Sequence, residues 1–257
     1  MTNKATLIAL YTIVRREIRR MFRIASQVFL PPVITTALYF LIFGTLIGQR
    51  IGLIHGVSYP LFIAPGLILM SVITNAYGNV STSLFSARFQ KSIEEMIVSP
   101  MPNYLLLIGY VTGGVIRGVI VGILVFIVSA FFVDVDLHHL GFTFLILIAV
   151  SALFSLAGFT NAVVARSFDD VAIIPTFLLT PLTYLGGVFY DVDMLPPFWQ
   201  TISHFNPILY MVNLFRYAML GLTSIPVSEA ILVITLTIVF LIFLNMYLLY
   251  RGVGLRD

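Results

Sequence analysis

Long apolar stretches dominate the chain, each bounded by charged or turn-forming residues. Runs long enough to cross a bilayer, about 20 residues, lie at 24–48, 59–84, 104–133, 140–163, 172–190 and 229–250. They predict six transmembrane helices, the first interrupted at Pro31-Pro32. Ahead of them, residues 5–23 repeat Leu7, Leu10, Val14, Ile18 and Met21 at three- and four-residue steps, with Arg15, Arg16, Arg19, Arg20 and Arg23 on the other side. This pattern predicts an interfacial amphipathic helix seated on anionic lipid; the simpler alternative is a basic topogenic tail. Residues 191–228 are moderately apolar but broken by Pro196-Pro197 and Pro207, which predicts short re-entrant helices before the last span. The fold class is thus an all-α integral membrane protein, read as a single transmembrane domain over 1–257.

Composition agrees. Of 257 residues, 60% are hydrophobic and 10% charged, where soluble domains carry about a quarter charged residues. The net charge of +3 is small and the basic residues gather at membrane edges, so no nucleic-acid partner is expected. With no cysteine there is no disulfide and no thiolate metal site. Placing both termini in the cytoplasm puts Lys4, the five arginines of the first helix, Arg88, Lys91, Arg166, Arg251 and Arg256 inside, eleven of fourteen basic residues.

Polar residues within the spans carry the chemical questions. Ser71, Asn75, Asn79 and Thr82 share one face of the second span, a seam for interhelical hydrogen bonds or for contact with a transported molecule. Gly109, Gly113, Gly114, Gly118 and Gly122 allow close helix approach in the third, within the chain or across a dimer. Arg117 falls roughly 25 Å from the outer edge at Asp134, either snorkelling to the inner headgroups or paired inside the protein. Between the second and third spans, Phe85, Phe89, Ile93 and Ile97 recur every four residues, with Arg88, Lys91, Glu94 and Glu95 on the remaining surface and Pro100 and Pro102 behind them. That is a short amphipathic helix offering an apolar edge to a partner, or resting on lipid.

All eleven Asp and Glu residues sit in loops or at span edges, which disfavours a proton-coupled carrier. No G-x-x-x-x-G-K-[ST] loop occurs, so an ATP motor would be a separate polypeptide, and no hydrolase or metalloenzyme motif is present. A proton-driven carrier or passive channel, and a non-transporting scaffold or membrane enzyme, stand as rival readings, none with a positive feature.

The stretch 181–221 holds Pro196-Pro197-Phe198-Trp199, Asn206-Pro207 followed by Tyr210, then Arg216 and Gly221. This combination resembles the signature of type-2 ABC transporter permeases, and the likeness extends along the basic first helix, residues 85–99 and the Phe168-Asp169-Asp170 turn. The resemblance implies a permease that pairs as a homodimer in the bacterial inner membrane and docks on two cytoplasmic ATPase subunits. Those subunits would hold ATP and Mg; this chain would need no cofactor. It maps the coupling helix onto 85–99, with Phe85, Arg88, Phe89, Ile93, Glu94, Glu95 and Ile97. Export of a lipid, glycan or drug-like substrate is implied, along a path for which Tyr39, Phe43, Asn75, Asn79, Thr180, Thr183 and Tyr184 are the candidates.

Overall fold

The computed structural model describes residues 3–93, 101–135 and 137–254, which are almost wholly helical. Helix α1 spans Asn3–Arg23. Helix α2 spans Ala25–Tyr39 and continues as a π-helix over Phe40–Ile47 and a last turn over Gly48–Ile51. Strands β1 (Leu53–Ile54) and β2 (Val57–Ser58) form a small antiparallel hairpin. Its turn uses His55 and Gly56 at φ 50° and 82°, the positive values that a two-residue hairpin needs.

Helix α3, Tyr59–Phe89, is the axis of the molecule. Ile63, Leu69, Val72, Ile73 and Ala76 along it have no exposed surface. Around it stand α4 (Asn103–Ala130), α5 (Leu140–Val164) and α9 (Val227–Arg251). Helix α9 buries only Ala230, Ile234, Asn245 and Leu249. Its remaining apolar surface faces outward, as expected of a helix bathed in lipid or covered by a partner.

Among the described residues, five unbroken helical stretches are long and apolar enough to cross a membrane: Ala25–Gly44, Tyr59–Phe89, Asn103–Ala130, Leu140–Val164 and Val227–Arg251. The segment expected as another span, 172–190, is helical but broken. It is helix α6, built from Phe168–Ile173, a π-helical Ile174–Leu179 and Thr180–Tyr184, of 6, 6 and 5 residues. At about 1.5 Å per residue that is roughly 25 Å, and it carries the chain from Phe168, beside Phe89, to Tyr184, beside Tyr39, before Asp191 meets His55. Two prolines explain the irregularity. Pro175 has no N–H for the Val171 carbonyl, and Asn161 Nδ2 on α5 donates to that oxygen instead, at 3.0 Å. Beyond Tyr184 the chain reverses at Gly187, φ 72°. A 3₁₀ turn (Val192–Met194) then leads into α7 (Pro197–His204) and α8 (Pro207–Leu220), of 8 and 14 residues, too short to cross.

Two other expectations change. Helix α2 continues through Pro31-Pro32 without a break and loosens later, at Phe40–Ile47. The prolines still free the Gln27 and Val28 carbonyls from their i+4 donors. Helix α1 buries Ile13, Glu17 and Met21, while Leu7 on the expected apolar stripe is 67% exposed. Its inner face is set by the glycines of α4: a methyl at Gly109 would come 2.5 Å from Ile13 Cγ2, and one at Gly113 2.7 Å from Glu17 Cβ. On the other side of α4, Gly114, Gly118 and Gly122 meet α3 and α5, through Ser155, Ser151 and Leu147 on the latter. The glycine series is thus consumed by packing within the chain.

Candidate functional site

At the arginine-rich end, α1, α3 and α4 share a buried polar network. Glu17, 2% exposed, accepts from Ser83 Oγ on α3 at 2.8 Å and pairs with Arg20 at 3.2 Å and Arg16 at 3.6 Å. Arg16 also donates to the Tyr110 hydroxyl of α4. Arg20 Nη2 reaches across to Asn79 Oδ1 at 2.8 Å and to the Asn79 carbonyl at 3.0 Å. From the opposite side, Arg117 Nη2 donates to Asn75 Oδ1 at 3.0 Å and Nη1 to Asn79 Oδ1 at 3.5 Å. Asn75 and Asn79 therefore hold two arginines from two different helices, and Arg117 is paired inside the protein rather than snorkelling. Thr82, read as part of the same seam, turns back to the Gly78 carbonyl of its own helix at 2.6 Å.

The segment 85–99 divides. Phe85 and Phe89 belong to the last turn of α3; the chain then turns at Lys91, φ 58°, and resumes helical geometry at Ser92-Ile93. Phe85 and Ile93 are 3% and 2% exposed and pack in the interior, whereas Phe89 is 69% exposed. Phe168, the first residue of α6 and 51% exposed, stands 4.8 Å from the Phe85 ring and 5.2 Å from the Phe89 ring. The exposed apolar surface here thus comprises Phe89 and Phe168, the second contributed by a distant segment that periodicity within 85–99 does not reach. Arg88 Nη1 donates to the Val163 and Ala165 carbonyls at 2.9 and 3.1 Å and to that of Ala162, closing the C-terminus of α5, where a cation suits the helix dipole. Glu94, Glu95 and Ile97 lie outside the described residues.

Of the residues proposed for a path, Tyr39, Phe43 and Tyr184 come together. The Tyr39 and Tyr184 hydroxyls are 3.3 Å apart, and Phe189, which sequence reading missed, joins them with ring centroids 5.4 Å from Tyr39, 5.0 Å from Phe43 and 5.8 Å from Tyr184. Only the reversal at Gly187 returns Phe189 to this position. Beside the cluster, α2 and α3 enclose a groove of about 280 Å³ whose walls include Gln27, Pro31, Tyr39, Met70 and Asn75. Thr180 and Thr183 do not face it with free hydroxyls; they bond to the Pro175 and Leu179 carbonyls at 2.8 and 2.7 Å, closing the loosened turns of α6.

The signature residues form a folding device. Pro197 opens α7, on which Trp199 is 45% exposed and packs edge-on against Phe198. Asn206 caps α8 through Oδ1, accepting from Ile208 N at 3.0 Å, while Nδ2 donates to Leu182 O at 2.6 Å; Pro207 follows at the first helical position. Tyr210 donates to His204 O at 3.0 Å, and Gly221 ends the helix at φ 74°. Arg216, 2% exposed, donates to the Gly187 carbonyl at 2.7 Å and the Phe62 carbonyl at 3.3 Å. At the same end, buried Asp191 pairs with His55 and accepts from Ser224 Oγ at 2.8 Å, tying three loops together. Sequence spacing gave no sign of this last contact, since its members lie 136 and 33 residues apart.

Residues 8–220 match the family model described as ABC-2 type transporter. The chain is 53% identical over 250 residues to the inner membrane transport permease YadH of Escherichia coli (strain K12), covering 97% of this chain and 98% of that protein. It is also 25% identical over 209 residues to nodulation protein J of Rhizobium leguminosarum bv. trifolii, 81% of this chain and 80% of the other. A similar protein of the same name from Sinorhizobium fredii (strain NBRC 101917 / NGR234) is 23% identical over 217 residues.

Proposed function

Given that the chain belongs to the ABC-2 type transporter family, we propose that it is the transmembrane permease subunit of an ATP-driven exporter, moving a lipid, glycan or drug-like substrate. Its setting is the inner membrane, as for its relative, crossed several times by apolar helices. In this reading both termini and the arginine-rich end face the cytoplasm, in accord with the distribution of basic residues. Two copies pair, and each docks on an ATPase subunit that holds ATP and Mg.

The observation that carries the reading is the exposed pair Phe89–Phe168 at the end of the most buried of the five long apolar helices. A partner pushing there moves α3, and α3 carries Asn75 and Asn79, the acceptors shared by α1 and α4. Motion of the ATPases then biases the dimer between inward- and outward-open arrangements, because each nucleotide state binds one of them more tightly. The groove between α2 and α3, with the Tyr39–Phe43–Tyr184–Phe189 cluster, offers ring faces and amides to an amphiphilic substrate.

Affinity purification of the tagged chain from its native membrane in mild detergent tests this. Recovery of a P-loop ATPase in equal amount, lost on combining Phe89→Ala with Phe168→Ala, is the expected result. Recovery of the permease alone, without ATPase activity, overturns the reading and favours a proton-driven carrier or passive channel.

A further inference from the structure

Between α1 and the arginine-rich end of α3 lies a groove of about 680 Å³ that the transport reading does not use. One wall carries Arg15, Arg16, Arg19, Arg20 and Arg23; the other offers Ser86 and Gln90. Glu17 is the only carboxylate lining it among the described residues, so five guanidiniums face one negative charge, a net of +4. That carboxylate is already engaged by Ser83, Arg16 and Arg20. The remaining positive charge of the wall is uncompensated within the groove, and an anion there would relieve the repulsion.

We infer that this groove is a binding site for a phosphoryl group, held between the outer arginines of α1 and the hydroxyl and amide of α3. Guanidinium forks match phosphate oxygens in bidentate fashion, and several converging forks favour a phosphate over a carboxylate of single charge. The volume exceeds that of one inorganic phosphate and falls within the range of small-ligand sites. Helix α1 also leaves Leu7, Ile8, Tyr11 and Phe22 exposed, and these place it at the level of lipid headgroups. A phospholipid headgroup is therefore the source nearest to hand; a soluble phosphoester is the other. The site is a discrete pocket with a polar second wall, unlike a helix lying on a charged surface, and it exists whether or not an ATPase docks on the chain.

The test uses the full-length permease alone, in dodecyl maltoside, so that it is independent of any ATPase. Phosphatidylglycerol and phosphatidylcholine are offered in equal amounts and the lipid retained is read by native mass spectrometry. Preferential retention of one phosphatidylglycerol per chain is expected. At roughly fivefold per basic residue near an anionic headgroup, R15Q/R19Q/R23Q should lower that retention by about a hundredfold. These positions leave Ile13, Glu17, Met21, Arg16 and Arg20 intact. Ser86→Glu, on the opposite wall, should also lower it without touching α1. A second arm titrates sodium pyrophosphate: saturable binding with the same arginine dependence, and no lipid preference, assigns the site to a soluble phosphoester. Equal retention of the two lipids with no pyrophosphate binding, or retention unchanged in both variants, overturns the proposal.

Discussion

Arg216 on α8 donates through Nη2 to the carbonyl of Gly187 at 2.7 Å, and its guanidinium stands 3.9 Å from the centre of the Phe62 ring. One buried side chain thereby fixes the reversal after α6 against the start of α3. Arg216→Met keeps the bulk but removes the donors, leaving the Gly187 carbonyl unmatched at about 1–3 kcal/mol. A clearly lower thermal midpoint in detergent is expected, with Arg216→Lys intermediate. A midpoint equal to the parent's would show that the contact does not hold the loop.

Asn79 Oδ1 lies between Arg20 and Arg117, at 2.8 and 3.5 Å. Asn79→Leu takes away the side-chain acceptor common to both while Asn75, Glu17 and the residue 79 carbonyl still hold the two guanidiniums, and should destabilise by about 1.5–3 kcal/mol, the scale of a hydrogen bond to a charged group. Asn79→Asp supplies a carboxylate to the same two guanidiniums and should retain most of the parent's stability. Thermal unfolding of the two variants side by side checks this, and the opposite order would contradict the network.

The contact between Asp191 and His55 makes stability depend on pH. Burial works against the Asp191 carboxylate, but donors from His55, Ser224 and the Asp193 backbone outweigh it and hold the group below its ordinary 3.8. A group depressed in the folded state stabilises above its unfolded value, and that contribution is lost as the pH falls through the folded one. Asp191→Asn should therefore be less stable than the parent at neutral pH, with a difference that narrows only below pH 3.8. A fluorescence melt of both proteins across a pH series reads it; a gap that stays constant at the acid end would remove Asp191 as its source.

Long helices and the glycine-rich face of α4 were legible in the sequence, because lipid enforces uninterrupted apolar runs and close packing needs small residues. The broken geometry of α6 was not. Its composition is that of a span, and the deciding facts are tertiary: Asn161 satisfying the carbonyl that Pro175 orphans, and Gly187 turning the chain. The inner face of α1 was misjudged for a related reason. Arginine at positions 16 and 20 reads as solvent-facing by hydropathy, yet here both pair with buried Glu17. The signature before the last span was recognisable as a pattern, and the structure supplies its physics as a cap, a fixed first turn, an anchoring cation and a left-handed stop. Phe168 as the neighbour of Phe89 had no local signal at all.

The cysteine-free chain allows a direct test of where the ATPase binds. Single variants Phe89→Cys and Phe168→Cys at the arginine-rich end, and Ser224→Cys at the other, are treated with a short thiol-reactive crosslinker in the native membrane. The account predicts a crosslinked permease–ATPase species for Phe89→Cys and Phe168→Cys and none for Ser224→Cys. Crosslinking through Ser224→Cys, or none at Phe89 and Phe168 while the ATPase still co-purifies, would contradict it.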